Sequence, residues 1–203
     1  LGAEVNVEEG AGLSASIADA DYLAAGAHIA KRAALVKDAD IILAIQGPDP
    51  KSLKDVKLGA WLIASLNPTG SGDNGRARVD AYAALGLEAL AMEWMPRITR
   101  AQSMDILSSQ SNLAGYKAVI EAADAYGRAF PMMMTAAGTV NAAKLFVMGV
   151  GVAGLQAIAT ARRLGAQVSA TDVRSATKEQ IQSLGAKPIF VESVAGIEGE
   201  GAG

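Results

Sequence analysis

In the second half of the chain, three glycines follow a short apolar run with the spacing of a phosphate-binding turn. The run spans Leu145 to Met148, and Gly149, Gly151 and Gly154 form the pattern G-x-G-x-x-G. The first glycine permits a tight strand-to-helix turn, the second lets the backbone approach a pyrophosphate, and the third lets the helix pack closely on the strand. The helix that follows offers free N–H groups and the positive end of its dipole to phosphate oxygens. The pattern therefore predicts a dinucleotide-binding turn.

An acidic residue follows this turn at the distance expected for a ribose contact. Asp172 ends the next predicted strand and lies 18 residues after Gly154. A carboxylate at this place accepts hydrogen bonds from the adenosine ribose. A 2′-phosphate would meet like charge there, so NAD(H) is favoured over NADP(H). Arg174, two residues further on, is interpreted as a solvated surface charge.

A polar segment of 14 residues separates two apolar parts of the chain. It contains Arg97, Arg100, Gln102, Asp105, Ser108, Ser109 and Gln110. Such polar density between domains is typical of a loop that hydrogen-bonds a ligand. An ordinary explanation fits equally well: Ser108 or Ser109 caps the following helix, and Arg97 pairs with a nearby carboxylate. Composition alone leaves both open.

The elements that would position these residues alternate between strands and helices. Strands are predicted at residues 4–7, 41–45, 60–66, 87–94, 145–148, 167–171 and 189–191, and helices at 17–30, 78–85, 110–130 and 155–164. Alternation of this kind implies parallel sheets. We therefore predict an α/β fold with two Rossmann-like parallel-sheet domains, residues 1–109 and 110–203, joined by a long helix. The cofactor cleft is expected between them.

The composition argues against several other classes of function. The chain has 203 residues, a net charge of −3, no cysteine and one histidine. The absence of a basic block argues against a nucleic-acid partner, and a lone His28 offers no metal pair. The apolar windows are far shorter than the ~20 residues needed to span a bilayer. Trp61, Trp94 and residues 132–134 are expected in the core, and residues 67–75 form a turn-rich loop.

The block Arg-Ala-Gln-Ser-Met-Asp-Ile-Leu-Ser-Ser-Gln-Ser-Asn-Leu-Ala-Gly-Tyr-Lys, together with the glycine turn, resembles the NAD(H)-binding component of proton-translocating NAD(P) transhydrogenases. The resemblance is dense over residues 93–185 and looser over 1–91. It implies a homodimeric component that exchanges a hydride between its NAD(H) and NADP(H) held on a partner component. A membrane-spanning component couples this exchange to proton translocation. The expected location is cytoplasmic, peripheral on the inner (plasma) membrane through the partner.

The resemblance also implies roles for individual residues. Arg97, Asp105 and Ser108 would hold the nicotinamide ring and carboxamide, and Gln102 would orient the ring, so Gln102, Arg97 and Asp105 are the catalytic candidates. The cofactor-binding set further includes Gly149, Val150, Gly151, Val152, Ala153 and Gly154 at the pyrophosphate, and Asp172, Val173 and Arg174 at the ribose. Hydride transfer between two nicotinamides needs oriented rings and no metal, so no metal site is expected.

Two alternatives remain beside this interpretation. Related alanine dehydrogenases bind a keto acid with a lysine and a histidine, near the positions of Ala44 and residues 67–69, where this sequence has neither. A nucleotide-binding module without turnover is the second alternative. The family is longer at both ends, so the first domain is expected to be truncated at its start and the second at its end.

Overall fold

The computed structural model describes residues 2–69 and 75–190. The chain forms two compact units, Leu1–Pro96 and Arg97–Gly203. Both contain parallel strands with intervening helices, so the predicted α/β architecture is confirmed. The domain boundary at residues 109/110, the joining role of the long helix and the cleft remain predictions.

The first unit contains two small parallel sheets. Its strands are β1 (Asn6–Glu8), β2 (His28–Ala30), β3 (Ile41–Gln46), β4 (Trp61–Ser65) and β5 (Glu88–Ala91), and its helices are α1 (Asp19–Ala24), α2 (Arg32–Lys37) and α3 (Gly75–Ala84). β1 pairs with β2, and β3, β4 and β5 form the second sheet in that order. Short 3₁₀ helices lie at Leu13–Ala15, Pro50–Leu53 and Met92–Trp94. The two strands predicted at 41–45 and 60–66 are thus confirmed, and the structure places them side by side in one sheet.

The core of the first unit lies on one face of β4. Leu62 and Tyr82 are fully buried, and the Tyr82 hydroxyl donates a 2.5 Å hydrogen bond to the Pro48 carbonyl. Burial raises the pKa of Tyr82, an effect that Arg78 partly offsets. A buried phenol with a backbone acceptor avoids the cost of an unsatisfied hydroxyl. Tyr82 of α3 thus packs into this core with its hydroxyl group satisfied.

The second unit begins with a 3₁₀ helix at Thr99–Met104 and a 20-residue helix, α4 (Ile106–Ala125). There follow β6 (Met133–Thr135), β7 (Gly138–Val140), β8 (Lys144–Met148), α5 (Val152–Arg163), β9 (Gln167–Thr171), α6 (Thr177–Ser183) and β10 (Lys187–Pro188). β6 and β7 form an antiparallel hairpin, and β10, β9 and β8 form a parallel sheet in that order. Val191, the end of the strand predicted at 189–191, lies outside the described residues, as do residues 70–74 of the predicted loop.

Alanine and branched aliphatic residues form most of the described core of the second unit. Ile158, Ala161, Ala170 and Ile181 are fully buried between the sheet and its helices. Alanine and glycine at helix contacts let backbones approach closely. At Gly115 of α4, a Cβ atom would overlap the carbonyl oxygen of Ala153 at the start of α5. The contact between α4 and α5 therefore requires glycine at this position.

The helix predicted at residues 17–30 is wrong in its second half. Helix α1 ends at Ala24, and Gly26 has a φ of +91°, which favours glycine and terminates the helix. β2 then pairs with β1, so His28 is exposed on a strand rather than carried by a helix. Pairing with a strand about 20 residues earlier in the chain decides the conformation here. The strand predicted at 87–94 likewise ends at Ala91.

Several residues expected in the core are exposed. The exposed fractions are 50% for Trp61, 64% for Trp94, 60% for Met132, 44% for Met133 and 80% for Met134. Trp61 starts β4 on the face opposite the buried Leu62, and the methionines precede and form a hairpin strand that is exposed along its length. Leu43 of β3 is likewise 75% exposed on that same outer face. The apolar patterns predicted the elements, but they did not predict which side of each element is covered.

In residues 2–69 and 75–190, none of the helices is long and apolar enough to cross a membrane.

Replacing Gly115 by Ala tests the close approach of α4 and α5. In an isolated helix this change stabilises by ~1 kcal/mol, but here the added methyl meets the Ala153 carbonyl. We expect a net loss of about 1–3 kcal/mol in the free energy of unfolding, the range for overpacking, measured by urea denaturation. Asn112→Ala, at an exposed position of α4, should change it by less than ~0.5 kcal/mol. A stabilised Gly115→Ala protein would contradict the packing.

Candidate dinucleotide-binding site

The glycine turn between β8 and α5 has the geometry that its spacing predicts. Gly149 has a φ of +90°, a conformation that side chains disfavour. A Cβ atom at Gly154 would overlap the Gly149 carbonyl oxygen and lie 2.9 Å from its carbon. At Gly151, by contrast, a Cβ atom would have no neighbour within 4 Å among the residues that the structure describes. The fold itself therefore requires glycine at positions 149 and 154. At Gly151 no described residue occupies the space where a side chain would lie.

The open space at Gly151 lies at the N-terminus of α5. Gly151 is the N-cap residue and supplies no side-chain cap to the helix. The first N–H groups of an α-helix have no intrahelical acceptor, and the helix dipole adds positive potential at this end. Val152 and Ala153, the first residues of α5, are half-buried. These features fit the pyrophosphate of a dinucleotide, since an anion satisfies the N–H groups and the missing Cβ gives it room.

Asp172, directly after β9, contacts this turn. Its Oδ2 accepts a 2.6 Å hydrogen bond from the Val150 N–H, and its Oδ1 accepts from the Arg174 N–H at 2.8 Å. Arg174 Nε also donates to Oδ1 at 3.1 Å. The expectation that Arg174 is a solvated surface charge is thus wrong, because its side chain is only 25% exposed and pairs with the acid. Asp172 and Arg174 both lie just after β9, and the turn of the chain there brings their side chains together.

The environment of Asp172 stabilises its charged form. Its side chain is only 6% exposed. The hydrogen bond from the Arg174 side chain, with those from the Arg174 and Val150 N–H groups, outweighs burial and lowers the pKa of Asp172 to about 2. The carboxylate is therefore ionised at neutral pH and oriented by the N–H groups of Val150 and of the Arg174 backbone and side chain. It lies at the end of β9 beside the glycine turn, as the spacing predicted for the ribose-binding acid.

Asp105 begins α4 as its N-cap. Its Oδ1 accepts the N–H groups of Leu107 at 2.9 Å and Ser108 at 3.1 Å, and its Oδ2 accepts the Ser108 hydroxyl at 2.6 Å. Capping by Ser108 or Ser109, one of the two explanations from composition, is therefore wrong. The Ser109 hydroxyl donates instead to the Asp105 carbonyl at 3.0 Å. The hydrogen bonds from Ser108 lower the pKa of Asp105, with smaller contributions from Leu107 and the charge of Arg97.

The structure thus brings Arg97, Asp105 and Ser108 into one group, while Gln102 is exposed on the preceding 3₁₀ helix. Asp105 lies ten residues before Gly115 on α4, about 15 Å along the helix axis. Gly115 contacts the first turn of α5. One helix therefore links the polar group to the glycine turn within the second unit.

Sequence reasoning assigned no role to Glu93, which organises the end of β4 in the first unit. Its carboxylate accepts the N–H groups of Leu66, at 3.1 Å, and Asn67. Arg78 donates to the Leu66 carbonyl at 2.7 Å, and Asn67 has a φ of +47°. The sequence shows only that Glu93 is an acidic residue that follows an apolar run. It does not indicate the contacts of Glu93, because the backbone partners are 26 and 27 residues away. Among the described residues there is no cluster of His, Cys, Asp and Glu that could hold a metal ion.

Replacing Asp172 by Asn tests its electrostatic environment. Because the native pKa of about 2 is below the ordinary value of 3.8, the carboxylate stabilises the fold fully above about pH 4 and loses this effect as the pH falls towards 2. The variant should lose at most about 2 kcal/mol at pH 7, and the difference should shrink between pH 4 and 2, measured by urea unfolding. Asp80→Asn, which removes an exposed pair with Arg76, should have little effect at any pH. A constant difference for Asp172→Asn would contradict the assignment.

Comparison with known proteins gives the family of the chain. The model of the alanine dehydrogenase/PNT N-terminal domain matches residues 1–114, and that of the C-terminal domain matches residues 118–197. The chain is 56% identical to the first part of NAD(P) transhydrogenase subunit alpha from Rhodospirillum rubrum, over 100% of its own length and 53% of the relative's. For the corresponding protein from Rickettsia prowazekii the identity is 49%, over 98% and 52%.

A solved structure agrees with these matches. The crystal structure of transhydrogenase from Sinorhizobium meliloti superposes with a TM-score of 0.89 at 60% identity, covering 95% of this chain and 54% of that one. The chain spans about half the length of the curated relatives it matches. The resemblance inferred from the polar block and the glycine turn is confirmed. The chain belongs to the alanine dehydrogenase/PNT family, and these three relatives are transhydrogenases.

Proposed function

We propose that the chain is the NAD(H)-binding portion of a proton-translocating NAD(P) transhydrogenase. It binds NAD(H) and transfers a hydride between this nucleotide and NADP(H) held on a partner component. A membrane-spanning component couples the transfer to proton translocation. The protein acts as a homodimer, cytoplasmic and peripheral on the inner membrane through its partner. The names of three similar relatives, all transhydrogenases, support the transhydrogenase activity in this proposal.

The observation that carries the proposal is the open side of the glycine turn. Within residues 2–69 and 75–190, Gly151 has no neighbouring atom in the direction of a Cβ, although it caps a helix whose first N–H groups lack intrahelical acceptors. The acid that would contact the ribose lies beside the turn and is ionised. Residues 150–153 would therefore hold the pyrophosphate, and residues 172–174 the adenosine ribose.

The nicotinamide end of the cofactor is assigned to the polar group before α4. Bound NADH supplies the hydride that is transferred. Arg97, Asp105 and Ser108 would hold the ring and its carboxamide, and Asp105 keeps its charge because Ser108 lowers its pKa. Gln102, which is exposed, would orient the ring towards the other nucleotide. Transfer between two rings needs proximity and orientation rather than a nucleophile or base, so these residues act by positioning.

The residues at the positions of the keto-acid site give less support to an alanine dehydrogenase activity. Where the related enzymes have a lysine and a histidine, this chain has Ala44, half-buried within β3, and residues 67–69. The high identity is to transhydrogenases. A nucleotide-binding module without turnover is a distinct outcome of the experiments below, since it would bind NADH and transfer no hydride.

Replacing Gly151 by Ala tests the pyrophosphate site. The methyl group meets no atom of the described part of the chain, so we expect the unfolding midpoint to stay unchanged. Affinity for NADH should fall by about tenfold or more, because the methyl occupies the approach of the pyrophosphate. The measurement is a fluorescence titration with NADH beside urea unfolding of the same protein. Gln182→Ala, at an exposed position of α6, is the control for both. Unchanged NADH affinity in Gly151→Ala would contradict the proposed site.

Replacing Gln102 by Asn tests its role in hydride transfer. Shortening this side chain should leave NADH binding within a few-fold but slow transfer by ~10-fold or more, since a displacement of about 1 Å can cost ~100-fold. Stopped-flow transfer from NADH analogues to NADP on the reconstituted partner component measures the rate. Gln110→Asn, the same change at an exposed position of α4, should alter neither quantity. Equal losses of binding and rate would assign Gln102 to cofactor affinity instead.

A further inference from the structure

Helix α4 carries Asp105 and Ser108 at its N-terminus and contacts α5 further along its length. We propose that Gly115 is a positioning residue for hydride transfer: its contact with α5 sets where α4 lies, and thereby where Asp105 and Ser108 hold the nicotinamide ring. Gly115 acts at a distance, since it lies ten residues from Asp105 on the helix. This inference rests on the proposed binding of NAD(H) and hydride transfer.

Two close contacts determine how α4 lies beside α5. At Gly115, a Cβ atom would lie 2.1 Å from the carbonyl oxygen of Ala153, in the first turn of α5. At Gly165, just after the end of α5, a Cβ atom would lie 2.6 Å from the Cβ of Pro131, which follows the end of α4. The first contact involves the start of α5 and the second its end, in the same order along α4. The two helices therefore run side by side in the same direction.

This arrangement leaves the first turns of α4 beyond the start of α5. Because Gly115 faces the first turn of α5, residues 106–114 extend past it, on the side of the sheet where β8 and β9 end. At about 1.5 Å per residue, Asp105 lies about 15 Å beyond Gly115 along the axis. Within α4, the buried residues are Gly115 and Val119. Asp105 and Ser108 therefore lie at the end of a helical segment without a buried side chain.

A methyl group at Gly115 would displace α4 rather than α5. Side-chain Cβ atoms do not approach such neighbours within 3.0 Å, so a contact of 2.1 Å requires a shift of about 1 Å. Helix α5 is held on its other side, because a Cβ atom at Gly154 would already lie 1.9 Å from the Gly149 carbonyl oxygen, and Ile158 is fully buried. The end of α4 near Pro131 is held as well. The helix therefore tilts about that end, and the shift is larger at Asp105 than at Gly115.

Such a tilt separates the two ends of the proposed site. The glycine turn and Asp172 belong to β8, α5 and β9, which keep their positions, so binding of the adenosine and pyrophosphate groups should persist. The nicotinamide ring would lose its alignment, and misplacement of reacting atoms by about 1 Å can cost ~100-fold in rate. A role for Gly115 in stability alone would not produce this separation, because loss of folded protein affects both ends of the site equally.

Two measurements on Gly115→Ala test the inference. ADP-ribose lacks the nicotinamide, and we expect its affinity, measured by calorimetric titration, to stay within about threefold. Hydride transfer from saturating NADH to NADP on the reconstituted partner component, followed by stopped flow, should slow by ~10-fold or more. The control is Val119→Ala, one turn along the same face of α4. It destabilises the buried core by leaving a cavity, but it adds no atom between the helices, so it should preserve both quantities.

The outcomes separate this inference from the function on which it rests. If the unmodified protein neither binds NADH nor transfers hydride with the partner component, the proposed function fails and the inference with it. If it does both, three results overturn only the inference: an unchanged rate in Gly115→Ala, an equal loss of ADP-ribose affinity and rate, or an equal slowing by Val119→Ala. Urea unfolding checks that each variant is folded. Should Gly115→Ala not fold, Val119→Ile adds one methylene on the same face of α4, and the same separation of affinity and rate is expected of it.

Discussion

Two backbone approaches that only glycine allows determine how the second unit is built. At Gly154 a side chain would overlap the carbonyl oxygen of Gly149, and at Gly115 one would overlap the carbonyl oxygen of Ala153. Helix α5 is therefore held against the turn after β8 on one side and against α4 on the other. Because Asp105 caps the first turn of α4, the position of the polar group depends on the same contacts. The proposed nucleotide site is a consequence of this close packing.

An electrostatic contact completes the turn. Asp172 ties the end of β9 to the Val150 N–H, and Arg174 bonds to both the acid and the Val150 carbonyl. Burial of a carboxylate is unfavourable unless donors compensate for the lost water, and here four N–H groups from Val150 and Arg174 do so. The acid is thus ionised and oriented before any ligand binds. In the proposed site, a ribose that bonds to Asp172 would share the carboxylate with Arg174.

The first unit uses the same kind of contact for a structural purpose. Glu93 accepts two backbone N–H groups after β4, and Tyr82 satisfies its hydroxyl on the Pro48 carbonyl. These contacts fix the loops at the carboxyl ends of β3 and β4, the edge where parallel sheets usually bind ligands. In the described part of this unit, however, no side-chain group comparable to Asp172 and the glycine turn is found. The two units therefore share an architecture but differ in the chemistry at their strand ends.

The sequence by itself determined the glycine turn, the strands on either side of α5 and the parallel α/β class, because these depend on local backbone requirements and on short-range periodicity. The sequence also identified Arg97, Asp105 and Ser108 as one group, through its resemblance to the transhydrogenase family. Only the tertiary structure decided that Arg174 pairs with Asp172, that Asp105 rather than Ser108 caps α4, and that Met134 and Trp61 are exposed. An apolar residue indicates that burial is favourable for it. Which face of an element is covered, however, depends on how elements distant in sequence pack together, and the same packing decides which charged groups come into contact.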